Sequence, residues 1–313
     1  MNQGWIYRDQ IKSNDSGNTV LSYYSQKYRH SSQHQWQERI LSGQILLNGK
    51  PTDTATILQT QDQLTYHRAS WIEPEVPLKF EIIYEDGDLV IINKPSGLPV
   101  LPGGGFLEHT LLWQLKQQYS QDIPVPIHRL GRGTSGLMLL ARSQFAKSNL
   151  AQQMRESTLK EENRQISKVY WALVSGNLIP KCLSIKKRIG KIAHPILGYI
   201  YGATPLGKKA RSECQVIKRY ANCTLIEVKI FTGRPHQIRI HLAAAGYPLL
   251  GDPLYVEGGS VADLRSNQQQ IPVPGDCGYF LHAFRLAFLH PRSLQPLSFE
   301  SPVPKQWQTI CQL

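Results

Sequence analysis

Four stretches hold most of the side chains that could do chemistry. Residues 232–255 place Arg234, His236, Arg239 and His241 close together, ahead of a Gly251-Asp252-Pro253 corner. Residues 128–136, His-Arg-Leu-Gly-Arg-Gly-Thr-Ser-Gly, set Arg129 and Arg132 on either side of Gly131. Tyr170 follows Lys168 in Lys-Val-Tyr-Trp-Ala, and Lys186-Lys187-Arg188 and Lys208-Lys209 are short basic runs. Arginine and lysine position anions, and a tyrosine offers both a stacking face and a hydroxyl. Arg239 lies among Ile238, Ile240 and Leu242, and a guanidinium in an apolar stretch needs a counter-ion. Asp252 is read as a turn residue whose carboxylate accepts backbone N–H groups. His236 and His241 are read as supporting or phosphate-facing groups. Two plainer readings stay open at this level: Tyr170 as a core aromatic, and Lys186-Lys187-Arg188 as a solvated charged face. No metal-ligand spacing appears among the histidines and cysteines, so neither metal nor cofactor is expected.

The basic groups are unevenly spread. The 313-residue chain carries a net charge of +12, yet residues 1–75 hold seven Lys/Arg against seven Asp/Glu. Residues 142–218 hold fifteen Lys/Arg against four Glu. Charge concentrated in one stretch suits a surface that tracks phosphates, which makes nucleic acid the expected partner. The apolar fraction of 41% can supply a sizeable core. Five cysteines without a Cys-x-x-Cys pair fit small buried hydrophobes in a reducing compartment better than a disulfide framework. No apolar run reaches membrane-spanning length, and the N-terminus has no signal-peptide pattern. The expected setting is cytoplasmic, with a plant organelle as the alternative where a leader has been removed.

The elements that must position these residues fall into two parts. Residues 1–75 read as a small module. A helical segment over Leu21–Leu41 stops at Gly43, a strand covers Ile45–Leu47, Asn48-Gly49 makes a hairpin turn, and a second strand runs near Gln63–His67. This order is similar to the alpha-L RNA-binding module of ribosomal proteins, although its net charge of zero suits a plain structural cap equally. Glu73-Pro74-Glu75-Val76-Pro77 breaks the chain. From there to residue 313 the pattern is mainly β. Strands are expected over Phe80–Glu85, Leu89–Asn93, Leu137–Ala141, Lys168–Val174, Ser212–Val216, Thr224–Phe231 and from Phe288, with helices over 109–119, 145–164 and 236–246. The fold class is α+β, a large mixed, mainly antiparallel sheet following a small N-terminal module.

Five stretches in order resemble the RluA-type RNA pseudouridine synthases. They are Leu89 to Val100, Ile127 to Ala141, Lys168 to Ala172, Gly207 to Ala210 and Thr232 to Tyr255, closed by Leu281-His282-Ala283 and His290-Pro291. The resemblance covers residues 80–291. It implies the pseudouridine synthase fold and the isomerisation of uridine in structured RNA (rRNA or tRNA), without cofactor or metal, by a monomer. The reaction detaches uracil from ribose, turns it, and rejoins it through carbon 5. It further implies that Arg129, Tyr170 and Arg239 belong to the catalytic site. Arg132, Lys168, Lys186, Lys187, Arg188, Lys208, Lys209, Arg234 and His236 would contact RNA. At one place the chain departs from the pattern. Where the family carries a nucleophilic aspartate, paired with the arginine that is Arg239 here, this chain has Gly131. Glycine has no side chain to act as nucleophile. The alternative is therefore a catalytically silent RNA-binding protein on the same fold.

Overall fold

The computed structural model describes residues 1–159, 165–177, 180–195, 197–259, 272–305 and 307. Two compact units emerge, Met1–Glu73 with Ala193–Ile200, and Pro74–Ile192 with Tyr201–Leu313.

In the first unit a four-stranded antiparallel sheet takes the order β1-β4-β2-β3. Its elements are β1 (Trp5–Gln10), α1 (Val20–Lys27), α2 (Gln33–Leu41), β2 (Ile45–Leu47), β3 (Lys50–Pro51) and β4 (Gln63–Arg68). The sequence suggests one helix over Leu21–Leu41, but the chain breaks between Lys27 and Gln33. Ser32 starts a new helix with a reciprocal capping box, its hydroxyl accepting from Gln35 N–H while the Gln35 side chain accepts from Ser32 N–H. Asn48 and Gly49 both take left-handed backbone angles (φ 51° and 78°), as a two-residue hairpin turn requires. Trp36, Tyr23, Tyr24, Ile40, Leu58 and Leu64 fill the core beneath the sheet.

The second unit is built on a ten-stranded sheet whose main path is β10-β13-β14-β9-β15-β8-β6-β5. Along the chain come β5 (Glu81–Glu85), β6 (Leu89–Lys94), α3 (Leu111–Gln118), β7 (Val125–Pro126), β8 (Ser135–Ala141), α4 (Gln144–Leu159) and β9 (Ser167–Ser175). They are followed by β10 (Cys182–Ile185), β11 (Ile189–His194), β12 (Gly198–Ala203), β13 (Ser212–Arg219) and β14 (Cys223–Ile230). Then come α5 (Gln237–Ala244), β15 (Leu281–Leu289) and β16 (Pro296–Glu300). The last part of the helix expected over 145–164 lies outside the described residues.

The apolar run of β6 is buried on both faces. Val90 and Ile92 enter one core cluster, and Leu89 and Ile91 the opposite one. Each such side chain contributes roughly 1.5–3 kcal/mol by leaving water. Neighbouring strands pair antiparallel, with one exception at the centre. There β15 runs parallel to β8, with His282 opposite Ser135 and Ala283 opposite Gly136. Two separate sequence signals, Thr134-Ser135-Gly136 and Leu281-His282-Ala283, thus meet in one place. The four described cysteines are free; Cys214 and Cys223 are buried as expected, whereas Cys182 is exposed and Cys277 half-exposed.

Candidate active site

α5 starts abruptly. His236 precedes it in a left-handed conformation (φ 51°), and Gln237 ties the turn by accepting from Thr232 Oγ1 (2.6 Å) and Arg234 N–H (3.1 Å). The helix is buried from Gln237 to Ala243. Arg239 must therefore be satisfied inside the protein. Asp252 does this in a two-pronged ion pair: Nε donates to Oδ2 at 2.7 Å and Nη2 to Oδ1 at 2.8 Å. Both side chains are almost inaccessible, at 3% and 1% exposure. The remaining donor, Nη1, reaches the Pro274 carbonyl at 2.9 Å. Burial works against the Arg239 charge, but the Asp252 hydrogen bonds and the neighbouring acidic and phenolic groups outweigh it and raise the pKa.

Asp252 keeps the turn role read from the sequence, since Oδ1 also accepts from Leu254 and Tyr255 N–H at 2.9 and 3.0 Å. The ion pair is an addition that the sequence did not reveal. The resemblance implied a partner for Arg239 at position 131; Gly131 offers none, and the partner is Asp252 instead. With four donors on its two oxygens, Asp252 is held as a structural anion.

Two aromatic rings sandwich the guanidinium, Tyr279 at 4.2 Å and Tyr255 at 4.9 Å from ring centre. The Tyr255 hydroxyl donates to the Tyr201 carbonyl (2.7 Å), so at 2.9 Å His236 Nδ1 is the donor to it. Burial first, then the charges of Arg239 and Arg129, push the His236 pKa down to about 4. The influence of Arg129 places that exposed side chain in the same electrostatic neighbourhood. His241 is fully buried, with Nε2 donating to the Lys187 carbonyl and Nδ1 accepting from Ser212, both at 2.9 Å. It holds the fold and faces no phosphate.

The loop around Gly131 is pinned from below. Lys94, at 0% exposure, donates to the carbonyls of Pro95 (2.8 Å), Leu98 (2.9 Å) and Arg132 (3.2 Å). Desolvation drops its pKa to about 7. Ser96 Oγ donates to the Gly133 carbonyl (2.7 Å), and Arg132 Nε donates to the Gly275 carbonyl (2.8 Å). Tyr279 fills the space beside the two glycines, its hydroxyl 3.3 Å from Thr134 Oγ1.

Tyr170 lies on β9, opposite Ala283 of β15 and Val228 of β14. It is 7% exposed and shares a core cluster with Tyr279, Leu130, Ile238 and Ala283. Burial raises its phenol pKa. Tyr279 is thus the link between Tyr170, its partner in the cluster, and Arg239, which lies on its ring. A cavity of about 730 Å³ lined by Phe80, Asn93, Ser96, Ser135 and Pro302 includes none of Arg129, Tyr170 and Arg239. The centre is a packed corner rather than an open cleft.

The basic runs come together beside α5. Ile189 and Lys208 exchange backbone hydrogen bonds at 3.0 and 2.9 Å, which brings Lys186-Lys187-Arg188 next to Lys208-Lys209. Arg188 donates to the Gly207 carbonyl (3.0 Å) and Arg234 to the Lys209 carbonyl (3.1 Å). Lys186, Lys187, Arg188, Lys208 and Lys209 are exposed. Lys168 stands apart, half-buried with its Nζ 3.7 Å from Met154 Sδ. Among the described residues no cluster of histidine, cysteine and carboxylate groups could hold a metal, and no helix is long and apolar enough to cross a membrane.

A mainly antiparallel sheet carrying a buried arginine centre beneath a basic rim is the setting in which relatives become informative. The sequence profile of the RNA pseudouridylate synthase family matches residues 88–244. The chain is 47% identical over 287 residues to an uncharacterized RNA pseudouridine synthase of Synechocystis, covering 92% of this chain and 94% of that one. It is 40% identical to RNA pseudouridine synthase 5 of Arabidopsis thaliana, covering 100% and 96%. Ribosomal large subunit pseudouridine synthase D of Nitrosomonas europaea is 37% identical over 76% of this chain and 65% of its own length. The chain belongs to the RNA pseudouridylate synthase family. Human RNA pseudouridylate synthase domain containing 1 shares the fold, with a TM-score of 0.54 and 23% identity over 74% of this chain and 87% of that structure.

Proposed function

We propose that the chain isomerises uridine to pseudouridine in structured RNA, ribosomal or transfer RNA. The observation that carries this reading is the fully satisfied Arg239 centre. Despite Gly131, the guanidinium keeps a two-pronged carboxylate partner and two aromatic faces. A buried charge left without its partner would cost several kcal/mol and would not be expected to persist at a disused site. The exposed basic rim next to α5 supports RNA phosphates as the docking surface. Lys186, Lys187, Arg188, Lys208 and Lys209 are the contacts in this reading, with Arg129, Arg132, Arg234 and His236 nearer the centre and Lys168 supporting from beneath. The N-terminal unit, residues 1–75 by the sequence boundary, is a second RNA contact in the same proposal.

One observation favours another reading. No carboxylate stands at position 131, and Asp252 is saturated, which suits an RNA-binding protein without turnover. The test is carbodiimide mapping of pseudouridine in RNA from cells lacking the gene, before and after incubation with the purified protein. New adducts support the synthase. Tight, salt-sensitive RNA binding without a new adduct supports the silent binder.

A further inference from the structure

We propose that the hydroxyl of Tyr279 is the group this chain presents to the substrate at position 131, in the place a side chain on that residue would occupy. This rests on the uridine-isomerising reading above.

Gly131 and Gly133 do not take left-handed angles, so the backbone does not demand glycine there. Space does. A Cβ on Gly131 would fall 2.7 Å from the Tyr279 hydroxyl oxygen, and one on Gly133 would fall 3.0 Å from two carbons of the Tyr279 ring. Either distance is tighter than packed atoms normally keep. The two glycines and the tyrosine are therefore one fitted set, and the missing side chain at 131 is matched by a phenol that arrives from the segment leading into β15.

The hydroxyl is fixed rather than merely nearby. The ring is pressed against Arg239, and the oxygen sits between Thr134 Oγ1 and the half-exposed Gly131. Burial raises the phenol pKa, against the opposing pull of Arg239 and the Thr134 hydrogen bond, so the group is neutral at ordinary pH and keeps its proton to donate. A guanidinium against the ring strengthens that donor. In the isomerisation the C1′–N1 bond breaks with its electron pair left on uracil, giving a uracil anion beside an electron-poor C1′. A Tyr279 hydrogen bond stabilises that anion. Uracil turns, C5 bonds to C1′, C5 gives up its proton and N1 takes one up, so atoms and charge balance and Tyr279 ends unchanged.

The test uses the full chain, target RNA from cells lacking the gene, and the Tyr279→Phe and Gly131→Ala variants with their combination. Tyr279→Phe keeps the ring and its contact with Arg239 and loses only the donor. Its kcat should fall roughly 100-fold, the usual effect of removing one transition-state donor, with KM for RNA and the melting temperature nearly unchanged. Gly131→Ala should lower kcat and stability when Tyr279 is present. It should do much less of either when combined with Tyr279→Phe, where the crowding oxygen is gone. A wild-type protein that binds RNA and forms no pseudouridine ends the isomerase reading and this role together. An active wild type matched by Tyr279→Phe, or fully additive Gly131 and Tyr279 effects on kcat, ends the Tyr279 proposal and leaves the isomerase reading standing.

Discussion

The Arg239 corner and the Gly131 loop face one another across Tyr279 and solve opposite problems. In the corner a cation is buried with its anion, and Arg239 and Asp252 satisfy each other almost completely. Under the loop a cation is buried without one: the three hydrogen bonds of Lys94 all go to neutral carbonyl oxygens. The first arrangement is rigid and indifferent to pH near neutrality. The second is a lysine whose protonation is poised near pH 7. A site that lacks a carboxylate at 131 has thus kept its charge balance by closing one pair off and by weakening the other cation through desolvation.

Removing one partner of the corner should give the largest effect. Arg239→Ala strands the Asp252 carboxylate, already almost fully covered, and should destabilise the protein by about 3–5 kcal/mol in urea melts. Asp252→Asn should cost less, because an amide can still accept from Leu254, Tyr255 and one guanidinium N–H. If both substitutions are neutral, the corner does not hold the site and the contrast with the loop collapses.

Lys94 sharpens the comparison through pH. Its folded pKa of about 7 lies below the ordinary lysine value of 10.5. Between those two values the unfolded chain binds a proton that the folded protein does not, so stability rises with pH across that window. The full contribution is present above 10.5, is lost progressively as pH falls through the window, and is absent below about 7. The slope is about 1.4 kcal/mol per pH unit at most. Subtracting the curve of Lys94→Met from that of the wild type isolates it. A difference that stays flat from about pH 7 to pH 10 would mean that Lys94 is charged and compensated, like Arg239.

How much of this was readable in advance depended on distance along the chain. The strand β6 was visible because four adjacent apolar residues can only be buried on both faces. β1 was not, since Trp5–Gln10 is exposed at nearly every position and shows no alternation. The break between α1 and α2 was written in Ser32 and Gln35, and the aromatic run across it masked the signal. At the site, Arg239 and Tyr170 stood in recognisable strings, and the need of Arg239 for an anion followed from burial alone. Which anion did not follow, because the pairing with Asp252 depends on how a loop folds back onto α5. Tyr279 was harder still. It meets Thr134 across 145 residues, and neither its neighbours nor its spacing mark it. Only the volume left empty by two glycines shows what it does.

The smallest effect separates docking from chemistry. Replacing Lys186, Lys187 and Arg188 by alanine removes three exposed cations beside α5 and touches neither the corner nor the loop. Each phosphate interaction removed should flatten the slope of log K against log salt by about 0.7–0.9, the range from single strands to duplex DNA. RNA affinity should fall about tenfold to a hundredfold at moderate salt, with kcat at saturating RNA and the melting temperature unchanged. The backbone carbonyl of Lys187, which holds His241, survives the substitution, so a fall in stability would be unexpected. Should kcat fall while the salt slope stays the same, these residues would belong to the chemistry after all, and the division between a binding rim and a closed centre would be misplaced.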